Sequence, residues 1–249
     1  MLGQPVAVSR AYFDSHCGIS SSLLSRRELE SYRPEFHSHL GLGQDLLFIK
    51  THEMCRLTEH GEHLFPKEGC RGTVYLTRHP FDVAKSWSHH QQVTLETAVQ
   101  DLNDPEFTLN RQTGTLHTHF EELVGCWSDH VKSWRRYGPK PLLLVRYEDL
   151  VRSPTRAFRD ILVHCGLSLS QRRLERALEM TTFSALASLE SRTAFRGKQP
   201  TAPSFFRIGE AGDGASLSAE LKNLIVSKNE EMMLKLAYRF EGESGPLRK

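Results

Sequence analysis

The sequence predicts an α/β fold, a three-layer arrangement with a mostly parallel sheet, on three observations. Short apolar runs alternate with helical patterns along the chain. The runs Leu46-Leu47-Phe48-Ile49, Thr73-Val74-Tyr75-Leu76 and Leu142-Leu143-Leu144-Val145 are continuous rather than alternating, as in strands covered on both faces. At 249 residues the chain is long enough to bury a full core, as one large domain or two small ones.

Taken in order, the first helix opens at Ser25-Arg26-Arg27-Glu28, a capping box in which the serine and the glutamate serve each other's backbone amides. The run 46–49 is the first strand. The second run ends at Arg78, where Pro80 breaks the strand and starts a helix. His89-His90 sit near that helix's C-terminus, an end that favours imidazoles. Residues 91–118, with Pro105 and Gly114, read as a long loop. Phe120, Leu123, Val124, Trp127, Val131 and Trp134 then recur at helical spacing, predicting one helix with both tryptophans in the core. After the run 142–145, Ser153-Pro154 opens another helix. Ala157, Phe158, Ile161 and Leu162 stripe it and Gly166 ends it. Residues 191–216 carry Gly197, Pro200, Pro203, Gly209, Gly212 and Gly214 and read as a second long loop; loops of that length in a compact domain are binding loops or lids. The last helix runs from about Ser218 with Leu221, Leu224, Ile225 and Met232 inward, and residues 241–249 form a frayed tail.

Composition excludes several classes. With 32 Lys and Arg against 30 Asp and Glu the formal charge is +2, so no global field exists to hold nucleic acid. No apolar run approaches the ~20 residues a membrane span needs, and Met1-Leu2-Gly3-Gln4-Pro5 does not begin a signal peptide. The five cysteines are odd in number, widely spaced and without a CxxC pair, which fits buried thiols in the cytoplasm. Cys55, His60, His63 and Cys70 do not follow a common zinc spacing, so no metal is expected.

Four segments carry chemistry. Lys50 and His52 lie two apart in an extended stretch and reach the same way. A histidine there suits a general base, and a lysine steadies developing negative charge. Arg78 stands at a strand end beside helix N-terminal amides, a natural anion site, with Ser86 as a further hydroxyl donor. Tyr147, in Arg146-Tyr147-Glu148-Asp149-Leu150, follows the third strand. Phe205 to Gly214 places Arg207 between residues that let backbone amides approach a phosphate, Gly209 and Gly212 among them.

Together these segments resemble the sulfotransferases that use 3′-phosphoadenosine 5′-phosphosulfate (PAPS). That family has a strand ending in lysine, serine or threonine, then histidine, matched by Lys50-Thr51-His52. Its Y-L-x-R-x-P-x-D-x-x-x-S segment is matched at Tyr75, Leu76, Arg78, Pro80, Asp82 and Ser86. Its Y-E-D-L step is matched from Tyr147, its threonine-serine-phenylalanine step by Thr181-Thr182-Phe183, and its F-x-R-K-G-x-x-G-D-W loop at Phe205, Arg207, Gly209, Gly212 and Asp213. The likeness covers roughly residues 45 to 240, and the stretch before it looks like the bacterial branch of the family.

The resemblance implies a single domain over 1–249 with a fold like that of the P-loop nucleoside triphosphate hydrolases, and transfer of a sulfuryl group from PAPS to a small-molecule hydroxyl. It implies Arg78, Ser86, Arg207 and the Gly209 amide around the 3′-phosphate, Tyr147 and Thr181 beside the adenine, His52 as base and Lys50 on the sulfuryl group. No metal, nucleic acid or membrane is implied, and a homo-oligomer is compatible with it. The family's P-K-S-G-T-T-W phosphate loop and its strand have no match before Lys50. Gly41-Leu42-Gly43 lacks the lysine and hydroxyls, and Pro5-Val6-Ala7-Val8 is the one short stretch to stand in for the strand. Ile208 replaces the family lysine and Gly214 the tryptophan. Two readings therefore stand: an active sulfotransferase, or a truncated or degenerate relative that binds a nucleotide or a protein partner without catalysis.

Overall fold

The computed structural model describes residues 6–43, 45–111, 117–193 and 202–240. The predicted tail, with Gly114, Gly197 and Pro200, lies outside them. The chain divides into two compact units, residues 1–75 with 104–143 and residues 76–103 with 144–249. The α/β class stands: strands β1 (Thr73–Thr77) and β4 (Leu142–Arg146) pair in a parallel sheet, with helices along the rest of the chain. A second, antiparallel pair joins β2 (Thr108–Leu109) to β3 (Glu122–Leu123).

In the first unit, α1 (Arg10–Cys17) starts at Ser9, whose hydroxyl accepts the Tyr12 amide, and stops at left-handed Gly18. Helix α2 (Arg26–His39) carries both halves of the expected Ser25–Glu28 capping box. Phe13, Phe36 and Phe120 meet edge-to-face at centroid distances of 5.2 and 5.4 Å, closing a core with Ala7, Val8, Leu29 and Leu40. Below that core runs a buried ionic chain: Glu53, wholly buried, pairs with Arg33 and with Arg56, and Arg56 pairs with Glu30.

In the second unit, α3 (Pro80–Gln91) begins with Pro80 in its first turn, and the His79 ring accepts the Phe81 amide. Helix α4 (Leu95–Asn103) and α10 (Ala219–Lys235) are joined through buried Asn229, whose amide donates to Asn103 at 2.8 Å. Helices α6 (Tyr147–Arg152), α7 (Pro154–His164), α8 (Gln171–Met180) and α9 (Phe183–Thr193) follow β4. Gly166, at φ 68°, ends α7 by taking the Val163 carbonyl.

Several expectations are corrected. Leu46–Ile49 carries no regular secondary structure and is not a strand, and Phe48 is 53% exposed; an apolar run that pairs with no neighbouring strand does not make a ladder. Leu76 in β1 is 61% exposed, so this sheet is not covered on both faces. Val6–Val8 forms a 3-10 turn rather than a strand. The helix predicted from Phe120 begins at Trp127 (α5, Trp127–Tyr137), because Gly125 at φ 65° turns the chain and Glu122–Leu123 pairs with β2. The stretch 91–118 contains α4, whose Ala98, Val99 and Leu102 are buried at helical spacing. Leu224 points outward at 49% exposure, while Met233 takes an inward place.

Candidate functional site

The first unit carries Lys50 and His52, both exposed, in the irregular segment that ends the apolar run. The backbone beneath them is held by side chains. Glu122 Oε1 on β3 accepts the His52 amide at 2.9 Å and the Thr51 hydroxyl at 3.3 Å. The Thr51 hydroxyl accepts the Glu53 amide at 3.1 Å. His130 Nε2 on α5 lies 3.1 Å from the His52 carbonyl oxygen. Trp134 donates its indole N–H to the Glu53 carbonyl at 3.0 Å. Burial pushes the Glu122 carboxyl above its usual range, with the His52 amide and Arg33 pulling the other way. Sequence reasoning missed Glu122, His130 and Tyr75 as supports. Nothing in the spacing of these three residues along the chain signalled that they support His52.

The second unit gathers three of the predicted nucleotide residues, Arg78, Tyr147 and Gly209, into one knot, with Arg207 in the same loop. The Arg78 guanidinium lies 4.3 Å over the Tyr147 ring and donates to the Glu210 carbonyl at 2.8 Å. Tyr147 donates its hydroxyl to the Gly209 carbonyl at 2.9 Å. Arg207 pairs with Asp213, which also holds Lys85 at 3.2 Å. Two cations on one carboxylate hold the Asp213 carboxyl below its usual range despite desolvation, which acts the other way and is the largest single influence.

Asp82 ties this loop to the start of α3. Its two oxygens accept the Gly212 amide at 2.9 Å and the Gly214 amide at 2.7 Å. Oδ2, the oxygen that accepts the Gly212 amide, also faces the Arg78 guanidinium at 3.4 Å. Gly209 has φ 70°, and a Cβ there would lie 2.0 Å from the Phe183 ring, so only glycine fits. Asp82 was legible only as one letter of a pattern; its role as the loop's anchor was not.

The two remaining residues sit apart from the knot's bonds. Ser86 is exposed on α3, one residue beyond Lys85. Thr181 caps α8, its hydroxyl returning to the Ala177 carbonyl at 2.7 Å. An open cleft of about 580 Å³ adjoins Lys85, His89, Gln92 and Arg207. Among the described residues no group of three or more His, Cys, Asp or Glu side chains is arranged to hold a metal ion, and no helix is long and apolar enough to cross a membrane.

Comparison with known proteins gives the family of the chain. Residues 6–233 match the family model described as the sulfotransferase domain. Sulfotransferase 1B1 of Canis lupus familiaris is 27% identical over 206 residues, 78% of this chain and 64% of that protein. Sulfotransferase 1C2 of Homo sapiens is 25% identical over 176 residues, 66% of this chain and 54% of that protein. Sulfotransferase 1B1 of Mus musculus is 30% identical over 117 residues, 44% of this chain and 35% of that protein. The chain thus spans between about a third and two thirds of the length of these relatives. The mouse sulfotransferase SULT7A1, solved in complex with PAP, superposes with a TM-score of 0.50 at 18% identity, over 67% of this chain and 61% of that one, a likeness of fold. With a family match running through nearly all the described residues, the chain belongs to the sulfotransferase-domain family.

Proposed function

We propose that this chain, as a single sulfotransferase domain, moves a sulfuryl group from PAPS to the hydroxyl of a small molecule. The observation that carries the reading is the Arg78–Tyr147–Gly209 knot anchored by Asp82. It sets the Arg78 guanidinium, an aromatic ring and a glycine backbone at one place, with Arg207 two residues before Gly209 in the same loop and paired with Asp213. That donor set fits a phosphorylated nucleoside: cations and amides for a phosphate, a ring face for a base. The relative solved with PAP supports the choice of nucleotide.

In this reading Arg78, Ser86, Arg207 and the Gly209 amide hold the 3′-phosphate, and Tyr147 and Thr181 border the adenine. PAPS supplies the activated sulfuryl group, whose bond to the 5′-phosphate oxygen breaks as the acceptor oxygen bonds to sulfur. His52 takes the proton of the acceptor hydroxyl, and Lys50 offsets the charge gathering on the transferred oxygens. The residues act by position and electrostatics, as expected where charge spreads over equatorial oxygens in an in-line displacement. The five unpaired cysteines suit a reducing compartment, and we place the protein in the cytoplasm.

The test is transfer from ³⁵S-labelled PAPS to a panel of phenols and aliphatic alcohols, with His52→Ala alongside. The reading expects label on at least one acceptor and a loss of about 10²–10⁴-fold in the variant. A chain that binds 3′,5′-adenosine bisphosphate yet labels no acceptor is a non-catalytic relative, and the catalytic half of the proposal fails.

A further inference from the structure

We propose that Glu122 and the Tyr75–His130 pair are positioning residues that hold the backbone on either side of the His52 Cα and so aim its imidazole. The inference rests on the reading of His52 as the base.

Three elements converge on the backbone of one residue, Glu122 on the peptide before His52 and His130 on the peptide after it. From β3, Glu122 takes the His52 N–H at 2.9 Å and the Thr51 hydroxyl at 3.3 Å. From α5, His130 Nε2 faces the His52 carbonyl at 3.1 Å. From β1, the Tyr75 hydroxyl lies 2.7 Å from His130 Nδ1. The carbonyl only accepts, so the Nε2 nitrogen must carry the proton. The Nδ1 nitrogen of the neutral ring then has only its lone pair, and the tyrosine hydroxyl donates to it. The His52 carbonyl therefore sets the tautomer of His130, and Tyr75 supports it by donating to the bare Nδ1.

Burial keeps this clamp in one state. Glu122 is 3% exposed, and the charged groups facing it are Glu53 and Arg33, beside the Thr51 hydroxyl and the His52 amide. Burial also lowers the basicity of His130, with Glu53 and the His52 carbonyl acting the other way. The ring is thus held neutral, the form that can donate on one side while accepting on the other. His52 lies outside any regular strand or helix, so its backbone direction is set by these side-chain bonds and its neighbours. Its exposed imidazole inherits that direction.

The experiment uses the full chain with ¹⁵N-labelled histidine. Long-range ¹⁵N–¹H spectra should show His130 as the neutral Nε2–H tautomer from pH 6 to 8 (about the range in which a histidine ordinarily titrates). Observation of the Nδ1–H tautomer overturns the proposal without any variant. Tyr75→Phe and Glu122→Ala should each move the His52 resonances and change its titration midpoint, while Glu122→Gln, which keeps a carbonyl acceptor, should stay near wild type. In PAPS turnover with 4-nitrophenol as probe acceptor, Tyr75→Phe should lower kcat about 10-fold and Glu122→Ala about 10²-fold, with KM for PAPS unchanged. Folded variants whose His52 resonances and kcat match wild type overturn the clamp. A wild-type chain that turns nothing over refutes His52 as base, whereas the tautomer and resonance shifts still decide the clamp.

Discussion

Asp82 is the residue through which the glycine loop is attached to α3, and its removal should free the loop before it unfolds the protein. Asp82 is 2% exposed and accepts the Gly212 and Gly214 amides at 2.9 and 2.7 Å. A hydrogen bond to a charged acceptor contributes about 1.5–3 kcal/mol, and a buried amide left unserved costs on a similar scale. Gly214 is buried against Phe81, where a Cβ would meet the Phe81 side chain at 2.4 Å, so its amide has no easy access to water. Asp82→Ala should therefore weaken docking of residues 210–216 by about 3–5 kcal/mol, the sum of two such bonds less partial relaxation. At about 1.4 kcal/mol per factor of ten, exchange at the Gly214 amide should accelerate by roughly 10²- to 4 × 10³-fold, and by about 10-fold in Asp82→Asn, which keeps one acceptor oxygen. Native-state hydrogen exchange read amide by amide measures this directly. Equal protection of Gly212 and Gly214 in Asp82→Ala and wild type would refute the anchor and the reasoning built on it.

Other consequences are as specific. Gly209→Ala meets both a positive φ and the Phe183 ring and should cost about 2–5 kcal/mol in urea unfolding, whereas Gly166→Ala, at φ 68° in open space, should cost only about 1 kcal/mol; equal losses would show that Phe183 does not press on Gly209. Glu53→Ala strips the partner from buried Arg33 and should cost about 3–5 kcal/mol, while the double change Arg33→Met, Glu53→Leu should recover part of it; no recovery would mean the ionic chain is itself stabilising. His37 is lowered from 6.5 to about 4 by burial, with Arg33 adding to the effect, so the unfolded chain binds its proton more readily than the folded one. Its contribution is present above about pH 6.5 and is lost as pH falls toward about 4, up to about 3 kcal/mol over that window; a Tm that stays flat from pH 6.5 to 4.5 in wild type would contradict it.

How much of this was legible depends on the range of the interaction. Local signals read true: the Ser25–Glu28 box, Pro80 and Pro154 in first turns, Gly166 ending α7 and Ser218 opening α10 each act within one turn of chain. Long-range dependence defeated the reading at Leu46–Ile49, where apolar letters promised a strand but pairing needs a neighbour that letters do not show. The stripe from Phe120 to Trp134 mixed a β-pair and a helix because both presented apolar residues, and only Gly125 marked the break. Helix α4 was missed because its polar flanks outweighed Ala98, Val99 and Leu102. The candidate site shows the same division. Arg78, Tyr147, Arg207 and Gly209 were named from motif order, and Arg78, Tyr147 and Gly209 touch one another while Arg207 turns to Asp213 in the same loop. Their anchor Asp82, and the supports Glu122, His130 and Tyr75, act across 130, 70, 78 and 55 residues, beyond any spacing rule.

The most direct measurement is calorimetric titration of the chain with 3′,5′-adenosine bisphosphate, beside folded Arg78→Ala. The account predicts one-to-one binding to wild type and a loss of at least 10-fold in affinity in the variant, since Arg78 would lose a charge-assisted bond worth about 1.5–3 kcal/mol. A folded wild-type chain that gives no heat of binding, or one that binds equally without Arg78, would contradict the assignment of this knot as the nucleotide site.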